Sequence, residues 1–354
     1  MSPERTLCPA RLEPTFSPRP WGVRSLAPFF PEMTGLAEPI GEAWMTGNES
    51  RFANGPFKGQ TLGQAWPAMT PEWVGTAFAR DPLFPLLVKF IFADEKLSVQ
   101  VHPDDSYAAE HEQAAGGRGK TEMWYALRAR PGAEVLVGLR AEATAESFRR
   151  AIADGTAENC LLHVPLSQGE AIFVPARTAH TIGSGLVLCE IQQQSDLTYR
   201  VYDYNRRDAQ GRARELHIEK ALAVMRFGPQ KGGKTKPVAM KNSAMTKTFI
   251  AACRYFLTEK WEFTEPVAAA SSNEHFEILI TLEGNGEISF GGARVEYGPA
   301  QTWLIPAGLG KFELRPHAPT SLLRTYPPAS VDAARRELAA AGLKETEISR
   351  LVHT

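Results

Sequence analysis

Four side chains capable of metal or proton chemistry sit where apolar runs of this sequence begin or end. Gln100 and His102 close the stretch K-L-S-V-Q-V-H-P-D-D, Lys96 to Asp105; Glu122 lies in G-K-T-E-M-W and His180 in P-A-R-T-A-H-T-I-G. Leu97, Val99 and Val101 alternate with Ser98, Gln100 and His102, and Pro103 stops the ladder, so a strand here buries one face and aims an amide and an imidazole from the other. If Gln100, His102, Glu122 and His180 converge, they form a mixed oxygen and nitrogen site for zinc, iron, manganese or cobalt. One carboxylate against a divalent ion leaves that site positive, a Lewis acid suited to an anionic or electron-rich oxygen substrate. Read singly, His102 is more often a strand-end histidine satisfied by a carbonyl, and amides are uncommon ligands. His111, His163, His217, His275, His317 and His353 show no pairing at metal-ligand spacing.

A second set is cationic. Y-R-V-Y-D-Y, Tyr199 to Tyr204, follows E-I-Q-Q-Q-S-D, Glu190 to Asp196, and period two puts Arg200 opposite Tyr199 and Val201. An inward guanidinium needs an anion. Asp196 or Glu190 would be its structural partner, and a phosphate or enediolate its functional one. Lys89, inside P-L-L-V-K-F-I-F, either snorkels out or faces a cavity.

The elements that must position these residues are mostly strands. Gly (29) and Pro (26) divide the chain into many short apolar runs, expected as strands over 85–93, 97–101, 122–127, 134–139, 160–164, 171–174, 186–192 and 197–202, in a sandwich or jelly-roll arrangement. Helices are expected from Thr70, with Pro71 at the first position, to about Ala79; from Thr144 to Gly155; over Arg214 to Met225; and from Ser330 to Gly342, the last covering a sheet edge or a subunit contact. Glu283 to Glu287, E-G-N-G-E, reads as a hairpin turn. Ala171 to His180 matches Thr302 to Lys311 as an apolar strand entering Pro-Ala, which implies two similar β-domains with Lys311 opposite His180. Basic, breaker-rich residues 229–247 read as a linker.

A formal net charge of -1 supplies no global field toward nucleic acid or membrane, so neither is an expected partner. With no run of eighteen apolar residues and no basic-then-apolar start, the expected location is cytoplasmic. Cys8, Cys160, Cys189 and Cys253 lack paired spacing and are expected as reduced, structural thiols.

Taken together, R-P-W-G at Arg19 to Gly22, I-G-E-A-W at Ile40 to Trp44, L-S-V-Q-V-H-P-D, G-K-T-E-M-W-Y, E-I-Q-Q-Q-S-D-L-T-Y-R-V-Y-D-Y and R-E-L-H-I-E-K-A-L at Arg214 to Leu222 occur in one order. The chain in this respect resembles the type I mannose-6-phosphate isomerases, zinc-dependent cupin isomerases, in their short bacterial branch. The resemblance implies a mainly β fold with two cupin-type jelly-roll barrels: a catalytic metal-binding domain over 1–228, the linker, a degenerate second cupin over 248–327 and a helical tail over 328–354. It implies one zinc ion per chain on Gln100, His102, Glu122 and His180, with catalytic or acidic pocket positions at Arg200, Lys120, Glu190 and Asp196. Lys89, Lys120 and Arg200 become the expected phosphate-binding residues. The implied reaction is reversible exchange of mannose 6-phosphate and fructose 6-phosphate through a cis-enediol, by a monomer or homodimer. Competing readings are an isomerase of another sugar phosphate, a non-catalytic sugar-phosphate binder, and an iron oxygenase, against which a glutamine ligand argues. Three positions depart from the family pattern: Val23, the tail, and Arg177, expected to narrow or recharge the pocket mouth beside His180.

Overall fold

Short runs rich in β-branched and aromatic residues pair here into antiparallel sheets. The computed structural model of the protein describes residues 6–207 and 211–354. It divides into two compact units, one of them the described residues up to Thr15 with 44–86 and 235–354, the other 16–43 with 87–234.

The 16–43/87–234 unit holds a seven-stranded sheet in the order Gly233–Lys234, Ala171–Val174, Glu122–Ala129, Leu186–Gln193, Leu86–Ala93, Ile40–Trp44, Thr15–Val23. A five-stranded sheet runs Tyr199–Tyr202, Val99–Val101, His180–Ile182, Glu134–Leu139, Leu161–Pro165. Ile91, Trp124, Ile172 and Leu188 from the larger sheet meet Val135, Val137 and Ile182 from the smaller one, which is sheet-on-sheet packing. The helices Ala145–Ala153 and Ile218–Val224 cover the outer face of the smaller sheet through Phe148, Ile152, Ala221 and Val224. The strands expected from the sequence form to within a residue or two.

The other unit pairs an eight-stranded sheet with a four-stranded one around Trp261, Leu279, Trp303, Ile305, Phe312 and Leu314. Both units are built from two antiparallel sheets, so the mainly β expectation holds. Among the described residues, no helix is long and apolar enough to cross a membrane.

Several local expectations change. Leu97 precedes a strand of only three residues and faces the inter-sheet core, whereas Val99 and Val101 face the helices. The helix after Thr70 spans Pro71–Val74 and stops at Gly75, whose φ of 92° suits glycine and whose added Cβ would lie 2.3 Å from the Glu274 carbonyl oxygen. Helix formation begins at Ile218 rather than Arg214: the His217 N–H donates to the Arg200 carbonyl at 2.7 Å, which ties the preceding backbone to the neighbouring strand, and Arg214 pairs with Asp203. Gly284–Asn285 closes no hairpin: Glu277–Glu283 pairs in the larger sheet and Gly286–Phe290 in the smaller. Residues 229–247 carry two short paired strands, Gly233–Lys234 and Val238–Lys241, too short and too exposed to stand out among the surrounding glycines, lysines and prolines. Beyond Ser330 there are two helices, Val331–Ala340 and Glu345–Leu351, packed on Phe249, Leu257 and Tyr326.

Candidate metal centre

Register brings the four candidate ligands to one place. His180 lies opposite Gln100 in the smaller sheet, and Glu122 opens its strand between Val174 and Gln192 in the larger one. His102 follows immediately after Val101, where its carbonyl accepts the Arg177 N–H at 2.7 Å. His102, Glu122 and His180 are at most 1% exposed, and their ligand atoms lie within 4.8 Å of one another.

The tautomers follow from the partners. The His102 Nδ1–H donates to the Leu197 carbonyl at 2.6 Å and the His180 Nδ1–H to the Thr178 carbonyl at 2.8 Å, since a carbonyl oxygen can only accept. In the neutral ring that a metal requires, each Nε2 is then the atom with the lone pair. Both Nε2 atoms face Glu122 Oε1, 3.1 Å from His180 Nε2 and 3.6 Å from His102 Nε2, and that oxygen has no hydrogen-bond partner. Two imidazole nitrogens and a carboxylate oxygen, buried and directed at one another, are a donor set that fits a cation. The Gln100 amide nitrogen stands 3.3 Å from His180 Nε2, and a half-turn of the amide presents its oxygen to the same point.

A cavity of about 510 Å³ is bordered by Gln100, Lys120, Lys89, Glu190, Asp196 and Arg200. Lys120 Nζ donates to Glu122 Oε2 at 2.7 Å and touches His102 Nε2 at 3.2 Å. Burial works against its charge, but Glu122 and Glu190 outweigh burial and hold the ammonium above its usual range. Burial likewise pushes Glu122 up, and the Lys120 ammonium overrides it, so the carboxyl stays well below its usual value. His102 is pushed down to about 3 by burial and then by Lys120, which keeps its imidazole neutral. Glu190 goes the other way. Burial raises it to about 6 against the pull of Lys120 and Lys89, while its Oε2 accepts from Trp124 Nε1 at 3.0 Å.

All nine residues singled out from the sequence reach this centre or its cavity. Lys89 faces inward, 2% exposed, with Nζ 3.1 Å from Asp196 Oδ1 and 3.9 Å from Glu190 Oε1. Arg200 lies opposite Gln100 on the neighbouring strand. Its expected partners Asp196 and Glu190 are taken up by lysine, and its guanidinium donates to Ser98 Oγ and the Glu215 carbonyl instead. Arg177 does not narrow the cavity. Its backbone is left-handed, with φ of 70°, and its side chain turns away to the Val224 carbonyl and Asp104. Sequence reasoning missed Arg19, Glu42 and Arg214 as cavity residues; Arg19 and Glu42 pair at 2.9 Å. Their only signal was membership of the R-P-W-G, I-G-E-A-W and R-E-L-H motifs.

Known proteins share the sequence and the fold of this chain. Residues 10–129 match the phosphomannose isomerase type I catalytic domain, and residues 245–326 match the mannose-6-phosphate isomerase cupin domain. The chain is 35% identical to the mannose-6-phosphate isomerase ManA of Bacillus subtilis over 88% of this chain and 96% of that one. It is 37% identical to the mannose-6-phosphate isomerase of Streptococcus mutans, over 72% of this chain and 79% of that one. The crystal structure of a mannose 6-phosphate isomerase from Bacillus subtilis superposes with a TM-score of 0.81 at 30% identity, covering 90% of this chain and 99% of that one. With its fold, its His-Glu-His donor set and these matches in agreement, the chain belongs to the metal-dependent type I phosphomannose isomerases.

Proposed function

We propose that this chain interconverts mannose 6-phosphate and fructose 6-phosphate in the cytoplasm, as a monomer or homodimer, with one zinc ion per chain on Gln100, His102, Glu122 and His180. The observation that carries the reading is the unpartnered, buried Glu122 Oε1 facing two imidazole lone pairs beside a cation-lined cavity. Two imidazoles favour zinc over the oxygen-seeking ions calcium and magnesium. When bound, zinc supplies a Lewis acid that polarises the sugar's carbonyl and hydroxyl oxygens.

The chain's own residues divide the remaining work. Lys89, Lys120 and Arg200 supply the positive charge that a phosphate dianion and a developing cis-enediolate require. Asp196 fixes Lys89. Glu190 carries the proton between C2 and C1, because a carboxyl raised to about 6 both takes and gives a proton near neutral pH. Lys120, held as a cation by Glu122, stabilises charge rather than acting as base. The test is turnover of fructose 6-phosphate by the purified, zinc-loaded chain, with exchange of the C2 proton into heavy water followed by NMR. Product and exchange are expected together; sugar-phosphate binding with neither would sink the reading.

A further inference from the structure

The two units share one plan. The strand order Gly233–Lys234, Ala171–Val174, Glu122–Ala129, Leu186–Gln193, Leu86–Ala93 is matched by Ala10–Glu13, Thr302–Ile305, Glu277–Glu283, Thr320–Tyr326, Leu257–Phe263. Glu122 opposes Val174, just before Pro175-Ala176, and Glu277 opposes Ile305, just before Pro306-Ala307. Across the smaller sheets His180 opposes Gln100, and Lys311 opposes Ala270. Lys311, Ala270 and Ser272 thus stand at the positions of His180, Gln100 and His102. Of the four donors, the glutamate alone recurs.

Glu277 is fully buried, and Arg324 holds it with two bonds: Nε to Oε2 and Nη2 to Oε1, each 2.7 Å. The third nitrogen, Nη1, donates to Glu259 Oε1 at 2.9 Å, and Glu259 is 2% exposed. The guanidinium also lies over the rings of Trp261 and Tyr326, 5.5 and 4.3 Å from their centroids. In register Arg324 takes the place of Glu190: one opposes Leu279, the other Trp124, each two residues beyond the shared glutamate.

We propose that Arg324 is the resident cation of the second unit, its guanidinium filling the position a divalent ion takes in the first, so that removing it opens a cation site between Glu259 and Glu277. The proposal rests on reading Glu122 as a metal ligand. Without Arg324 the two buried carboxylates keep Lys247, whose Nζ lies 3.4 Å from Glu259 Oε2, as a single half-buried counter-charge, and such an under-compensated pair is destabilising, which supplies the drive to recruit an ion. The donors are oxygens only, so the ion is a hard one, manganese or calcium rather than zinc. A cavity of about 250 Å³ bordered by Lys247, Glu259, Arg324 and Tyr326 gives it access.

The experiment is manganese binding to the full zinc-loaded chain and its variants, by electron paramagnetic resonance and by thermal midpoint. Arg324→Ala is expected to bind one further manganese ion per chain and to gain thermal stability from it. The unmodified protein and Arg324→Lys gain neither, and adding Glu259→Gln and Glu277→Gln to Arg324→Ala abolishes the new site. A folded Arg324→Ala that binds no more manganese than the unmodified protein overturns the proposal, as does a triple variant that keeps the extra ion. So does an Arg324→Ala that folds neither with manganese nor without it. Glu122→Gln separates the two readings: if it retains its zinc, the ligand assignment fails whatever Arg324→Ala does.

Discussion

A carboxyl group changes role with its surroundings, and Glu122 and Glu190 demonstrate this a few ångströms apart. Both are buried, but Glu122 takes a 2.7 Å bond from Lys120, while Glu190 meets the same ammonium only at 3.9 Å and stays raised to about 6. We expect Glu190→Gln to keep zinc at one ion per chain and to lose roughly 10²- to 10⁴-fold in kcat, the range for a general acid-base group; metal analysis beside steady-state kinetics checks this, and an unchanged kcat would remove Glu190 from proton transfer. At this scale the sequence was informative because alternation tells which way a side chain points: Gln100, Arg200 and Lys89 face the cavity as their strands require. Alternation does not say which strands become neighbours. Arg200 was therefore matched to the wrong partners, and Arg19, on the edge strand Thr15–Val23, went unnoticed.

The elements hold the donors through backbone links that no motif announces. The Thr121 N–H donates to Gln193 Oε1 at 2.8 Å, and Thr121 Oγ1 accepts from the Ala176 N–H at 3.2 Å, joining the start of the Glu122 strand to the turn before His180. Lys120 N–H to the Pro103 carbonyl ties the same segment to the residue after His102. Thr121→Val leaves the buried Ala176 N–H without its acceptor, at a cost of about 1–3 kcal/mol. Loosened donors of this kind weaken metal binding by roughly 10–100-fold. Chelator competition measures the affinity and urea unfolding the stability; a variant with unaltered zinc affinity would show that the latch positions nothing. Strand positions were readable because apolar runs between glycines and prolines are local signals. Helix starts and turns were less so: a backbone bond from His217 to Arg200 on another strand precedes the helix start at Ile218, and sheet membership decides what Gly284 does.

For the whole molecule, a metal on His102, Glu122 and His180 would be a folding ligand as well as part of the proposed chemistry. An ion held at a hundredfold excess over its Kd adds about 2.7 kcal/mol to stability, so a chelator is expected to lower the thermal midpoint. Amide exchange should quicken in Val99–Val101, Glu122–Ala129 and His180–Ile182 and stay unchanged in Glu277–Glu283; uniform quickening across all four strands would place the stabilisation elsewhere. The division of the chain into units carries one more consequence, for biosynthesis. Ala10–Glu13 is hydrogen-bonded to Thr302–Leu304, its partner made roughly three hundred residues later, a separation that makes such pairings slow to form. A chain emerging from the ribosome can assemble 16–43 with 87–234 first, whereas Ala10–Glu13, paired on one edge with the nearby Arg51–Phe52, waits for Thr302–Ile305 to cover its other edge until translation is almost over. The unit that holds Glu122 and His180 is in this sense finished before the unit that holds Ala10–Glu13, and the open edge of that half-paired strand is the segment most in need of a chaperone.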